Sequence, residues 1–143
     1  MDENDIQNII KALDNEENEN IMKLTSDKIK NIKLNILKDL NLSKTKLNEI
    51  IEKLEDYIYI DEIPDIKYGS YLRWIPLKDF NNIKLTNGAI ICDIIVSEKG
   101  TYILCKNNYG KCMKIKMDDS LLFRKLTYQE KILLNVVDHL NNN

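Results

Sequence analysis

The chain has 143 residues, 43% of them hydrophobic and 31% charged, with a formal net charge of −2. That abundance of leucine and isoleucine in periodic order excludes a disordered chain, and the length suits one domain or two small packed subdomains. No apolar run approaches the ~20 residues that span a bilayer, and the start Met1-Asp-Glu-Asn-Asp is the opposite of a basic signal peptide, so a soluble cytoplasmic protein with no membrane partner is expected.

In chain order, Ile6, Ile9, Ile10 and Leu13 recur on one side of a short helix over 5–13, and the polar stretch 15–20 breaks it as a loop. Ser26 is placed to cap the next helix, with Asp27 near its positive end. Ile29, Ile32, Ile36 and Leu40 line one face of that helix. Leu47, Ile50, Ile51, Leu54 and Ile58 line a face of the one after it, opened by Ser43 or Thr45. With a tight turn through Asn41 and Leu42 between them, the pair predicts a helix-turn-helix-like hairpin. Such a pair can enter a major groove and is also an ordinary way to build a small helical core. Pro64 lacks an amide donor and closes this helical region, residues 1–63.

From 64 to 143 the hydrophobic period shortens. Strands are expected at 71–77, 89–96, 101–106, 111–117 and 121–126, with Met113, Ile115 and Met117 alternating against Cys112, Lys114 and Lys116. The turns Ser97–Gly100 and Asn107–Gly110 each end in a glycine suited to a bulged hairpin loop. Pairing Lys106 with Lys111 across the second loop would set Cys105 opposite Cys112, within disulfide reach, although an odd total of three cysteines favours free thiols. The 89–96 strand reads as the densest in apolar residues, so Ile94→Asp is expected to unfold the protein. Thr127-Tyr-Gln-Glu130 is a capping box that opens a last helix with Ile132, Leu133, Val136, Val137 and Leu140 on its buried face. These elements predict an α+β fold: an N-terminal helical hairpin, a small antiparallel β-barrel or bent sheet of SH3-like or OB-like kind, and a C-terminal helix. The connections are too short for the crossover helices of a parallel sheet.

Residues that carry chemistry are scarce. His139 is the only histidine and sits near the end of the last helix, where a protonated imidazole suits the helix dipole. Cys92, Cys105 and Cys112 have no metal-type spacing, no glycine-rich phosphate loop occurs, and Asp118-Asp119 reads as a turn. A non-enzymatic protein without catalytic residues, metal site or cofactor is expected.

Charge is distributed unevenly. Residues 1–63 carry 9 Lys against 15 Asp/Glu, whereas residues 65–126 carry 11 Lys/Arg against 6 Asp/Glu. The acidic leader reads as a solvated face. Two places could hold DNA or RNA. One is the start of the second hairpin helix, at Lys44 and Lys46, although Glu49, Glu52 and Glu55 follow closely. The other is the strand region, where Arg73, Lys114 and Lys116 offer cations and Tyr71 or Tyr109 a ring to stack on a base. A binding module for nucleic acid is the first reading. A structural, scaffold or adaptor protein with protein partners only, or its own copies, is the alternative.

The segments Lys67-Tyr-Gly-Ser-Tyr-Leu-Arg-Trp-Ile75, Lys84-Leu-Thr-Asn-Gly-Ala-Ile-Ile91 and Leu122-Phe-Arg-Lys-Leu126 together resemble uncharacterised proteins of nucleocytoplasmic large DNA viruses, with Ala89 where a second glycine stands in that pattern. The resemblance implies a virion component or virus-factory protein, in the host cytoplasm or the virion, and contributes no catalytic residues.

Overall fold

The computed structural model describes residues 2–142. Its elements are α1 (Glu3–Asp14), α2 (Ser26–Lys38), α3 (Lys44–Lys53), β1 (Tyr57–Ile60), β2 (Tyr71–Pro76), β3 (Ala89–Ser97), β4 (Gly100–Lys106), β5 (Cys112–Lys116), β6 (Ser120–Lys125) and α4 (Tyr128–Asn141). Contacts group these residues into two units. One holds the chain up to Ile32 together with the chain from Leu126 onward; the other is Lys33–Lys125. The compositional boundary at 63/64 falls inside the second unit, between β1 and β2. Among the described residues no helix is long and apolar enough to cross a membrane.

In the first unit α1 packs on α4. A reciprocal capping box opens each helix: Asp2 with Asp5 in α1, and Thr127 with Glu130 in α4, where the two bonds measure 2.9 and 3.1 Å. The polar 15–20 stretch contributes one 3-10 turn, Glu16–Asn18, and its side chains bind: buried Asn18 donates to the Ala12 carbonyl at 2.9 Å and to Gln129 at 3.1 Å, and Asn15 donates to Gln129 at 2.9 Å. The cap of α2 is Thr25 rather than Ser26. The Thr25 hydroxyl accepts from the Lys28 amide at 3.2 Å, while Ser26 donates its amide and hydroxyl to the Asp138 carboxylate.

The buried stripe of α2 also differs from its hydrophobic pattern. Ile29, Lys33 and Leu37 are buried, while Ile32 is 42% exposed. Lys33 earns its place chemically: its ammonium donates to the Leu54 carbonyl at 2.7 Å, just past α3, where a helix dipole favours a cation. Asn41 makes the turn after α2 with φ 54°, and Ser43 caps α3 through the Lys46 amide at 3.2 Å. The helix-turn-helix-like hairpin is therefore present, but α3 stops at Lys53. Residues 57–60, expected as helix, form β1, because Tyr-Ile-Tyr-Ile favours a pleated surface and pairs along β6 from Tyr57↔Lys125 to Ile60↔Leu122.

The strands form one open antiparallel sheet in the order β1-β6-β2-β3-β4-β5. Strands β2 to β5 are a meander, and β6 returns to pair with β2 after the 3-10 turn Met117–Asp119. That return forces curvature. In a flat sheet four strand spacings, about 19 Å, would separate β5 from β6. The four steps from Lys116 to Ser120 span at most about 14 Å. The sheet therefore coils until the end of β5 approaches the end of β2, and the Leu77 amide donates to the Asp119 carbonyl at 3.0 Å across this corner. Of the expected barrel or bent sheet, the open, bent form is present, in the meander-and-return order of its SH3-like version.

Coiling gives the sheet an inner face, where Leu72, Trp74, Ala89, Ile91, Ile103, Ile115 and Leu122 form one core. On the outer face Leu37, Ile50 and Leu54 of the helices pack on Tyr57, Ile75 and Phe123 of β1, β2 and β6. The far half of β3 is not dense core. Its pairing with β2 ends at Tyr71↔Ile90, a bulge shifts the register between Ile91 and Asp93, and beyond it Ile94 is only partly buried and Val96 is 66% exposed.

The register also corrects the cysteines. Asn107 accepts from the amides of Tyr109 and Lys111, both at 2.9 Å, which lengthens the loop by one residue. Lys106 then pairs with Cys112, and Cys105 with Met113. A one-residue slip moves a side chain to the other face, so Cys105 is buried and Cys112 exposed, and both are free. Burial, with a contribution from Cys92, pushes the Cys105 thiol up from 9.0 to about 12. Its contribution to stability is fully present below pH 9.0 and is lost as pH rises through about 12, because the unfolded chain ionises first. Tyr57 and Tyr59, also raised chiefly by burial, act in the same sense at higher pH. Melting temperature is expected to fall in alkali above about pH 9, and less steeply in Cys105→Ala; parallel falls in both proteins would exclude the thiol as a cause.

Candidate nucleic-acid interface

The face on which Leu37, Ile50 and Leu54 pack over β1, β6 and β2 continues across the sheet to β4 and β5. Register shows the continuity: Tyr71 pairs with Ile90, Ile90 with Lys106 and Lys106 with Cys112, one row across four strands. Along the β4–β5 hairpin the same face then carries Leu104 paired with Lys114 and Tyr102 paired with Lys116. Met113 and Ile115, on the opposite face, belong to the inner core, so the alternation expected for β5 is present. Lys106, Lys111 and Lys114 are exposed and Lys116 is half-buried. Lys114 Nζ lies 4.5 Å from the centre of the Tyr102 ring, a cation–π contact that keeps ammonium and ring side by side. Tyr109 stands at the hairpin tip, 95% exposed.

This hairpin falls within the longest stretch of the chain that has no acidic residue. Residues 99–117 contain five lysines, at 99, 106, 111, 114 and 116, and no aspartate or glutamate. Lys106, Lys111 and Tyr102, which the sequence also interleaves among the cations and aromatics of this strand region, join Lys114, Lys116 and Tyr109 here. The acid-free run between Glu98 and Asp118 is the sequence signal that marks them.

The other expected residues are placed differently. Tyr71 is half-buried against the outer-face core, and its hydroxyl donates to the Asn87 carbonyl at 3.1 Å. Arg73 is half-buried too: its Nε donates to the Thr86 carbonyl at 2.9 Å, and its guanidinium sits close enough to Tyr57 to oppose the rise of that phenol's pKa. Both therefore hold the 77–88 loop to β2. The approach is close at Gly88, φ 94°, where a Cβ would stand 2.6 Å from the Leu72 carbonyl oxygen. Arg124 is 2% exposed and donates to the backbone of Asp65 and Lys125, which makes it a structural cation. Lys44 is exposed and Lys46 half-buried at the start of α3, a separate element whose apolar side packs into the outer-face core. The structure thus brings Lys114 and Lys116 together with Tyr102, and Tyr71 with Arg73 at the loop. Among the described residues no group of three or more His, Cys, Asp or Glu is arranged to hold a metal ion.

Comparison with protein-family models, with curated proteins and with solved structures finds no match to this chain. The site therefore rests on geometry and charge.

Proposed function

We propose that the protein is a non-enzymatic module that binds single-stranded nucleic acid along the outer face and tip of the β4–β5 hairpin. The observation that carries this reading is the acid-free run 99–117, in which Lys106, Lys114 and Lys116 share the outer face of the hairpin and Lys111 is exposed in the loop at its tip. A flexible ammonium is a good partner for a phosphate oxygen, and a run of them along one face follows a backbone. The fully exposed Tyr109 ring supplies a surface for an unpaired base, and such stacking contributes roughly 1–3 kcal/mol per base. Neither contact reads sequence, so binding of modest selectivity is expected.

Anisotropy of a labelled single-stranded oligonucleotide, titrated with the full chain at several salt concentrations, tests this. Affinity is expected to fall steeply with salt, with a log–log slope of about −2 to −3.5 for three to five phosphates neutralised. No binding at low salt, or binding indifferent to salt, would exclude the hairpin as a nucleic-acid surface and favour a scaffold with protein partners.

A further inference from the structure

The coiled sheet leaves a cleft of about 470 Å³ at the corner where it does not close, lined by Trp74 and Pro76 of β2, Lys78 just past it, Tyr102 of β4, and Lys114 and Lys116 of β5. We propose that this cleft is a pocket for a single nucleotide, the base against the aromatic wall and the phosphate on the lysine rim. The inference rests on the hairpin reading above, because two of the three lysines belong to both surfaces.

The volume lies in the range of small-ligand sites, about 300–1,000 Å³. Its walls are of two kinds. Trp74, Pro76 and Ile115 are apolar, and Tyr102 adds a second ring. A planar base gains from such walls because every base has a π face. The rim is cationic: Lys78, Lys114 and Lys116 stand against Asp119 as the single acid, a surplus of two positive charges. The Lys116 stem lies over Gly100, where a Cβ would stand 3.0 Å from its Cε. Lys114 is held by the Tyr102 ring. The corner beside the cleft is tied by the Leu77–Asp119 backbone bond. An anion with an attached aromatic ring matches this combination, whereas a purely apolar ligand would leave the surplus positive charge unanswered.

Trp74 is the chain's only tryptophan, so its fluorescence reports on this cleft without labelling. The full chain is titrated with uridine and adenosine monophosphates and, separately, with a labelled deoxythymidine oligonucleotide, following tryptophan emission and anisotropy. The expected result is a saturable change in Trp74 emission that Lys78→Ala, outside the hairpin, shifts to about tenfold higher concentration. A response to the oligonucleotide alone identifies a strand nucleotide, and a response to the monophosphates alone identifies a free one; either supports the pocket, and the second overturns the hairpin's strand contact. Oligonucleotide binding by anisotropy with unchanged Trp74 emission and unaltered affinity in Lys78→Ala overturns the pocket and leaves the hairpin reading intact. No response by either measure overturns both.

Discussion

Reversal of Lys114 and Lys116 together to glutamate is expected to lower the proposed affinity for single-stranded nucleic acid by roughly 100-fold or more and to leave the fold in place. Both halves of this expected result follow from the register of β5. Lys114 and Lys116 point away from the inner core, which Met113 and Ile115 enter, so the substitutions leave that core intact. The structural loss is the contact of Lys114 with Tyr102, about 0.5–1 kcal/mol at an exposed site. The binding loss is larger: two phosphate contacts disappear, the salt slope falls in magnitude by about 1.4, and two new negative charges repel the backbone. Lys44→Glu with Lys46→Glu is the matched control. Lys44 is exposed and Lys46 half-buried, but Glu49, Glu52 and Glu55 follow them, and little change in affinity is expected. If the α3 pair abolished binding and the β5 pair did not, α3 would be the interface.

Local chemistry was legible in the sequence wherever few residue types can do the job. Thr127 and Glu130 form the reciprocal cap their spacing announces, and Gly100 and Gly110 take φ 134° and 80° at the two hairpin turns. What the chain conceals is set by neighbours distant in sequence. Ile50, Leu54 and Ile58 continue a helical spacing, yet Tyr57–Ile60 pairs with β6, more than sixty residues later. The same four residues also alternate, and only a partner strand decides between the two periods. Lys33 breaks the apolar pattern of α2 because the carbonyl it answers is at Leu54. Asn107 lengthens a turn by accepting two amides, and the face of Cys112 changes with it. The candidate site divides in the same way. The basic run 99–117 is written in composition, whereas the employment of Tyr71 and Arg73 by the 77–88 loop depends on a fold-back no local pattern reveals.

Phe123→Ala is expected to cost about 3–5 kcal/mol, a fall in melting temperature on the order of 10–20 °C. Phe123 is fully buried in the middle of β6, opposite Tyr59 on one side and Arg73 on the other. Its ring centre is 5.7 Å from that of Tyr59 with the planes tilted by 56°, and it packs among Leu37, Ile50 and Leu54 of the helices. Removing the ring empties the space that joins the helical hairpin to the sheet, and close-packed surroundings refill such a space only in part. Ile94→Asp, the substitution that sequence density singles out, makes the useful comparison. Ile94 is only partly buried, near the exposed end of β3, and an aspartate there keeps access to water. Its cost is therefore expected to be the smaller of the two. Thermal melts of both variants decide the matter: a greater loss from Ile94→Asp would place the main core along β3 and not at the β6–helix junction.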